Sequence, residues 1–242
     1  MIEPPAMSKT VRLSTEEKYG ILKTSWTFET SRDDTITELT LVATAHQFDK
    51  GETIFREDDQ CRFFHIIKEG RVKNFKQSPS GKHFVASVAG PGDTLSAVVL
   101  FSGNPYFLSA QTMDSVILLR INRENFVRII TTDGGALLRQ ITLLEQAVRS
   151  TCERLMDLVG QKVEQRVYNM LYMLYGKFGS ELRFTSEEVA ELAGTTPETT
   201  IRIFSGLKNL HIISCGRRNV HILDSSELAR MCRASEHSPG RL

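Results

Sequence analysis

The sequence predicts an α+β fold because its hydrophobic periodicity changes twice along the chain. From about residue 40 to residue 122, short apolar runs alternate with glycines, which is typical of a compact all-β roll. From about residue 135, the apolar positions follow a strict heptad for three repeats, which predicts a long helix. After residue 184, two capped helices precede two short strands, which is the order of a winged helix–turn–helix.

The first segment is predicted to contain an arm and the β-roll. Residues 1–22 include Pro4-Pro5 and are interpreted as a loose N-terminal arm, and residues 23–133 are interpreted as the roll domain. His65 lies in an apolar run and is interpreted as a core histidine with satisfied ring nitrogens rather than as a ligand. The apolar runs with the length of strands are Thr53–Phe55, Phe63–Ile67, Arg71–Phe75, His83–Val88 and Val116–Ile121.

Residues 134–160 are predicted to form a dimerisation helix. Its apolar positions alternate at spacings of four and three, which is the a/d pattern of a coiled coil. This seam consists of Leu137, Ile141, Leu144, Val148, Thr151, Leu155 and Leu158. A second apolar face, formed by Leu138, Leu143 and Ala147, is expected to pack on the roll. The alternative is an amphipathic helix that packs only on its own domain.

Gly160 is predicted to be a hinge between this helix and the next domain. Glycine inside a helix costs about 1 kcal/mol relative to alanine, so it marks a flexible point. Residues 161–233 are predicted to form the winged helix–turn–helix domain, and residues 234–242 are expected to be a disordered tail.

The helix–turn–helix is predicted from its capping residues. Thr185 begins the first helix and forms a capping box with Glu188, and Gly194 ends that helix. Thr196 caps the second helix and Pro197 occupies its first position, where a missing N–H has no cost. The first helix is expected to bury Val189, Leu192 and Ala193. An ordinary αα-hairpin is the alternative.

The second helix is predicted to have a buried stripe and a polar face. The stripe is expected to contain Ile201, Phe204, Leu207 and Leu210. The side chains left for a partner are Glu198, Thr199, Arg202, Ser205 and Lys208.

Two short strands after the second helix are predicted to form a wing. They are His211–Cys215 and Asn219–Leu223, and the turn between them contains Arg217 and Arg218. Four basic side chains and one acidic side chain occur between Thr195 and His221, although the whole chain has a net charge of only +1. Binding to DNA would therefore depend on a local basic patch rather than on overall charge.

The sequence contains no signature of an enzyme, a metal site or a membrane protein. The four cysteines, like the histidines, lack metal-ligand spacing and are expected to be reduced thiols. No nucleophile-elbow or phosphate-binding loop motif occurs. No apolar run approaches the roughly 18 residues of a membrane span. We therefore expect a cytoplasmic protein without enzymatic activity. The cysteines are Cys61, Cys152, Cys215 and Cys232.

Three further motifs, together with the helix–turn–helix, resemble the CRP/FNR family of bacterial transcription regulators. They are Phe48-Asp-Lys-Gly-Glu-Thr-Ile-Phe55, Phe64-His-Ile-Ile-Lys-Glu-Gly-Arg-Val72 and Gly92-Asp-Thr-Leu95. The resemblance covers about residues 40–230 and implies that the roll is a cyclic-nucleotide-binding-like jelly roll that senses a small effector. It also implies a homodimer that binds double-stranded DNA, and that contacts RNA polymerase if the protein is an activator.

The resemblance argues against a cyclic nucleotide as the effector. In members that bind one, a glutamate contacts the ribose and an Arg-Ser pair contacts the cyclic phosphate. Here the glutamate position holds Ala97, and the arginine position holds Phe107 or Leu108. A phosphate buried without a cation or a nest of N–H groups is costly. We therefore expect an apolar pocket that binds neither cAMP nor cGMP.

Two effector classes stay open after the other family modes are considered. Oxygen-sensing members carry an N-terminal cysteine cluster, so an iron–sulfur cluster is not expected, and Val98 replaces the haem-ligating histidine of carbon-monoxide sensors. Haem held by another residue is one alternative, because the run Ala97–Phe101 is similar to nitric-oxide-responsive members. The other is a small organic effector that is unknown or has been lost. The implied pocket residues are Ser96, Ala97, Val98, Phe107, Leu108, Ser109, Thr151 and Cys152.

The resemblance assigns the base contacts to Glu198 and Arg202. Residues four apart share one face of a helix, so both side chains can enter one groove. Glutamate can accept from cytosine N4, and arginine can donate to guanine O6 and N7, which suits a TGA-type half-site. Thr195, Thr196 and the two wing arginines are expected to contact phosphates, which position the protein without specifying sequence. These residues argue against a ligand-gated module that does not bind DNA.

Overall fold

The computed structural model describes residues 8–77, 83–95, 97–216 and 218–233. Two compact units divide the chain, Met1–Arg149 and Ser150–Leu242, and each is described by itself. The predicted tail 234–242 and residues 1–7 of the predicted arm lie outside the described residues.

Within its described residues, the first unit combines nine strands with helices before, within and after the strand-rich segment. Its strands are β1 (Lys9–Val11), β2 (Thr44–Phe48), β3 (Thr53–Phe55), β4 (Phe63–Glu69), β5 (Val72–Gln77), β6 (His83–Ala89), β7 (Thr94–Leu95), β8 (Ser109–Thr112) and β9 (Val116–Asn122). Its helices are α1 (Thr15–Thr24), a 3-10 helix (Trp26–Phe28), α2 (Asp33–Val42), α3 (Ala97–Ser102), α4 (Arg123–Thr131) and the first part of α5 (Gly134–Gly160).

These strands form two antiparallel sheets. The first has the order β1-β2-β9-β4-β7 and the second has the order β3-β8-β5-β6. Helix α4 and the 3-10 helix cover one face of the first sheet. Phe64 of β4 stacks on Phe126 of α4 at 4.1 Å between ring centroids and also contacts Phe28 of the 3-10 helix. The five strands predicted from apolar runs are all present.

The loose arm predicted for residues 1–22 is wrong for its described part. Strand β1 pairs with β2, which adds it to the edge of the first sheet. Helix α1 begins with a capping box between Ser14 and Glu17, and Leu22 is fully buried in the core of the unit. Polar residues dominate this segment, so its few apolar residues form no clear periodic pattern in the sequence.

The start of α5 packs on the first unit through a face that the sequence analysis did not select. Ala136 and Gln140 are buried, and Leu137 packs against the core. Leu138 is 66% exposed and Ala147 is also exposed, so the expectation that they pack on the roll is wrong, whereas Leu143 of the same predicted face is half-buried.

The second unit contains the remainder of α5, four more helices and a small sheet. Its elements after α5 are α6 (Val163–Phe178), β10 (Glu181–Leu182), α7 (Ser186–Ala193), α8 (Pro197–Asn209), β11 (Ile213–Cys215), β12 (Val220–Ile222) and α9 (Ser225–Arg233). The sheet has the order β10-β12-β11, so the two predicted wing strands are joined by a third strand that the sequence analysis missed.

Candidate DNA-binding and dimerisation surfaces

The caps of α7 and α8 form as the sequence predicts. Thr185 Oγ1 accepts a hydrogen bond from Glu188 N at 3.1 Å, and the Glu188 carboxylate accepts one from Thr185 N at 2.8 Å. Gly194 ends α7 in the left-handed region with φ 63°. At α8, Thr196 Oγ1 accepts from Thr199 N, and Pro197 occupies the first turn. The turn between the two helices is therefore set by local sequence.

The buried stripe predicted for α8 is only half correct. Phe204 and Leu207 are buried, but Ile201 is 53% exposed and Leu210 is 63% exposed. The remaining buried positions of this helix are Thr200 and Ile203. A row of residues three apart drifts around a helix of 3.6 residues per turn, so its two ends leave the core.

The outer face of α8 is exposed at every position, and we define it as Glu198, Ile201, Arg202, Ser205, Lys208 and Asn209. Four of these six side chains were predicted to be available to a partner, and Thr199 is half-buried instead. Neither Ile201 nor Asn209 was predicted to belong to this face. An isoleucine at helical spacing ordinarily indicates a core position, so only the observed burial reassigns it.

The wing follows α8 directly. Cys215 of β11 pairs with Val220 of β12, and Gly216 N donates to the carbonyl oxygen of Asn219 at 2.9 Å. A Cβ atom on Gly216 would overlap the side-chain oxygen of Asn219 in its present position. Arg218 is exposed, while Arg217 lies outside the described residues.

Two arginines hold the C-terminal end of α7. Arg166 of α6 donates to the carbonyl oxygens of Ala193 at 3.0 Å and Gly194 at 2.9 Å. Arg154 of α5 donates to the carbonyl oxygen of Leu192 at 3.0 Å. Carbonyls at a helix C-terminus lack helical partners and attract cations, so these contacts stabilise the end of the support helix.

The predicted seam of α5 is largely exposed in the single chain. Ile141, Leu144, Val148 and Leu155 are exposed, and they keep the spacing of four and three predicted for a coiled coil. Met156 and Val159 extend the exposed apolar surface towards the end of the helix. Exposed apolar patches of this kind mark interaction surfaces.

Both halves of the chain match known domain families. A cyclic nucleotide-binding domain matches residues 45–133, and a Crp-like helix-turn-helix domain matches residues 165–231. The chain belongs to the CRP/FNR family of transcription regulators.

Two relatives and one solved structure are similar to most of the chain. The chain is 28% identical over 221 residues to a CRP-like cAMP-activated global transcriptional regulator of Mycobacterium tuberculosis, covering 88% of this chain and 99% of that protein. It is 28% identical to the nitrogen fixation regulation protein FixK of Bradyrhizobium diazoefficiens, covering 77% of this chain and 81% of FixK. The structure of FixK2 from Bradyrhizobium japonicum superposes with a TM-score of 0.72 at 19% identity, covering 78% of this chain and 97% of FixK2.

The residues predicted for the effector pocket are found in different environments. Ala97 begins α3, Leu108 and Ser109 are half-buried, and Phe107 is exposed. Ser96 lies outside the described residues, and Val98 is described only as part of the α3 backbone. Thr151 and Cys152 are exposed residues of α5 in the second unit. These positions stay predictions.

One prediction about the roll of this CRP/FNR protein is wrong. His65 is buried as expected, but within the described residues neither of its ring nitrogens has a hydrogen-bond partner. The sequence analysis expected both nitrogens to be satisfied. A histidine in an apolar run carries no signal about its partners, because these come from distant strands.

The described residues show no disulfide, metal-binding cluster or membrane-spanning helix. All four cysteines are free thiols, and burial raises the pKa of Cys232 to about 11. Among the described residues, no group of three histidine, cysteine or carboxylate side chains is arranged to hold a metal ion. No helix in the described ranges has the length and apolar character needed to cross a bilayer.

Proposed function

We propose that this transcription regulator acts in the cytoplasm as a homodimer that binds a palindromic operator with TGA-type half-sites. The observation that carries the proposal is the outer face of α8, on which Glu198 and Arg202 are exposed side by side. Capping at Thr196 and burial of Phe204 fix which side of the helix faces outward.

Glu198 and Arg202 supply the base contacts in this proposal. Arginine can donate two hydrogen bonds to guanine O6 and N7, and glutamate can accept one from cytosine N4. Thr196 at the N-cap of α8 and the exposed Arg218 between β11 and β12 are suited to phosphates, as is Arg217 from its sequence position. The wing and the helix N-terminus would then place α8 in the major groove.

The seam of α5 supplies the proposed dimer contact. An exposed leucine that becomes buried contributes roughly 1.5–3 kcal/mol, and each residue of the seam is buried twice in a symmetric pair. Two α8 helices related by the dimer axis would contact half-sites about 34–36 Å apart. A palindromic operator follows from that symmetry.

The roll supplies the regulatory input in this proposal. Ala97 and the Phe107-Leu108 pair replace the charged contacts of cyclic-nucleotide-binding members, so we propose a small effector other than cAMP or cGMP. If the protein is an activator, RNA polymerase is the further partner. Calorimetry with cAMP and cGMP tests the exclusion, and a micromolar dissociation constant for either would contradict it.

The operator proposal is tested by titrating Arg202→Ala on a TGA-type palindrome and on its single-base variants. Loss of Arg202 is expected to cost about 1–3 kcal/mol per half-site and to relax the preference at one base pair. Arg218→Ala is the matched control, because loss of a phosphate contact weakens all sequences alike and reduces the salt slope by about one unit. An unchanged base preference in Arg202→Ala would contradict the assignment.

The dimer proposal is tested by sedimentation of Leu144→Lys. Because a buried leucine contributes roughly 1.5–3 kcal/mol, its replacement by lysine in both copies is expected to raise the dissociation constant at least hundredfold, by about 2.8 kcal/mol. Gln146→Lys, at an exposed position on the opposite side of α5, is the control. A monomeric wild type at micromolar concentration, or equal behaviour of both variants, would contradict the proposed seam.

A further inference from the structure

A partly open cavity of about 330 Å³ is lined by strands of both sheets of the roll, and two of its lining residues, Gln60 and Arg62, are exposed. It is bounded by β3, β4 and β9 and by the loops that precede β4 and β8. None of the described residues of the effector pocket implied by the family lines it. We call this space the roll cavity.

Strand register brings two polar side chains to one wall of the roll cavity. His65 of β4 and Arg120 of β9 are direct cross-strand partners in the first sheet. Such partners project from the same face of a sheet. Their neighbours Phe64 and Ile121 form the adjacent pair and project from the opposite face, which α4 covers. His65 and Arg120 therefore face the interior of the roll together.

Both side chains have polar atoms without partners. His65 is 2% exposed, and neither Nδ1 nor Nε2 has a hydrogen-bond partner among the described residues. The Nε atom of Arg120 is buried and also lacks a partner within that part of the chain. Buried polar groups are ordinarily hydrogen-bonded, so two such side chains beside one cavity point to a ligand.

The charge states of these groups define what they can bind. Burial holds the pKa of His65 well below its ordinary value, so the ring is neutral and offers one donor and one acceptor. Burial also lowers the pKa of Arg120, but an arginine stays protonated in proteins. Arg62 and Asp59, which also line the cavity, balance each other, which leaves one positive charge in excess.

The other walls are aromatic. Phe55 stacks on Tyr106 at 3.8 Å between ring centroids, and the guanidinium of Arg120 lies 4.7 Å from the centroid of Phe63. The Tyr106 hydroxyl donates to the carbonyl oxygen of Phe63 at 3.2 Å, so its proton is already used. These flat side chains favour an aromatic ring as the apolar part of a ligand.

We propose that the roll cavity binds a small aromatic carboxylate. Its carboxylate pairs with the planar guanidinium of Arg120 and accepts a hydrogen bond from the ring N–H of His65. Its ring lies among Phe55, Phe63 and Tyr106. A single negative charge fits best, because Asp59 would repel a doubly charged phosphate.

The proposal is tested with benzoate as the probe and benzamide as its neutral, isosteric control. Calorimetry on the full-length protein without DNA is expected to show benzoate binding at least about tenfold more tightly than benzamide, a difference of about 1.4 kcal/mol. Imidazole ¹⁵N shifts should change for one histidine only, the resonance that is lost in His65→Phe. Absence of benzoate binding, or equal affinity for both probes, overturns the proposal.

Variants locate the site. Arg120→Gln is expected to abolish the preference for benzoate over benzamide, and Arg120→Lys to retain part of it. Arg128→Gln is the control, because Arg128 is an exposed arginine of the same unit that pairs with Glu38. If Arg120→Gln does not fold, the wild type and Arg120→Lys still decide the outcome. The site is overturned if Arg120→Lys keeps the full preference for benzoate over benzamide and benzoate leaves the ¹⁵N shifts of His65 unchanged. These measurements involve no operator, so they fail independently of the proposed DNA binding.

Discussion

Arg120 in the roll and Arg202 on α8 are placed in opposite environments by different kinds of contact. Arg202 is exposed on a helix whose start is fixed by Thr196 and Pro197, a few residues away. Arg120 is more than half buried beside His65, which is 55 positions earlier in the chain and is brought to it by strand pairing. Capping signals within one turn thus position the exposed arginine, whereas the interior arginine depends on the whole sheet.

The largest effect that tests this contrast is expected from Phe64→Ala, which removes packing between the first sheet and its helices. Loss of a buried phenylalanine typically costs about 3–5 kcal/mol. The single tryptophan, Trp26, lies in the first unit and reports its urea unfolding by fluorescence. Phe107→Ala, at an exposed position, is the control. The amides of α7 and α8 should stay protected from hydrogen exchange in Phe64→Ala. Loss of that protection would show that the two units unfold together.

A smaller effect, confined to the second unit, is expected from Arg166→Ala. This variant removes the charged donors to the carbonyl oxygens of Ala193 and Gly194, which is expected to cost about 2–3 kcal/mol. Hydrogen exchange of the α7 amides is the measurement, and the Trp26 transition should stay unchanged. Arg218→Ala should leave α7 exchange at the wild-type rate. Equal protection in both variants would show that these bonds do not stabilise α7.

The smallest effect is a pH dependence in the first unit. His65 has a pKa of about 6.5 when unfolded and a much lower one when folded, because burial and the charges of Arg120 and His46 disfavour its proton. Above pH 6.5 neither state binds the proton, so stability is unaffected. Below it the unfolded chain takes up a proton first, and stability falls by up to about 1.4 kcal/mol per pH unit.

His65→Phe should remove this fall in stability between pH 6.5 and the folded pKa, while His46→Phe should retain most of it. Urea unfolding followed by Trp26 fluorescence at several pH values provides the comparison. Parallel pH profiles for wild type and His65→Phe would show that another group is responsible.

The limits of prediction from sequence follow the same division. The caps at Thr185 and Thr196, the left-handed Gly194 and the wing strands were all predicted, because each depends on residues within a few positions. The burial of Leu22 in α1 and the lack of hydrogen-bond partners at His65 were not, because both depend on strands far along the chain. Ile201 was misassigned because an apolar residue in a helix gives no sign of whether its face meets a core or a partner.

The contacts of Arg166 and Arg154 with the end of α7 also affect how the sequence can evolve. Arg166 and Arg154 donate to carbonyl oxygens of the main chain, and every residue type supplies such an oxygen. Substitutions on the outer face of α8 therefore leave these carbonyl acceptors intact. The outer face of α8 can therefore change among descendants while these contacts at the end of α7 persist, as long as arginine is retained at 166 and a residue tolerant of positive φ at 194.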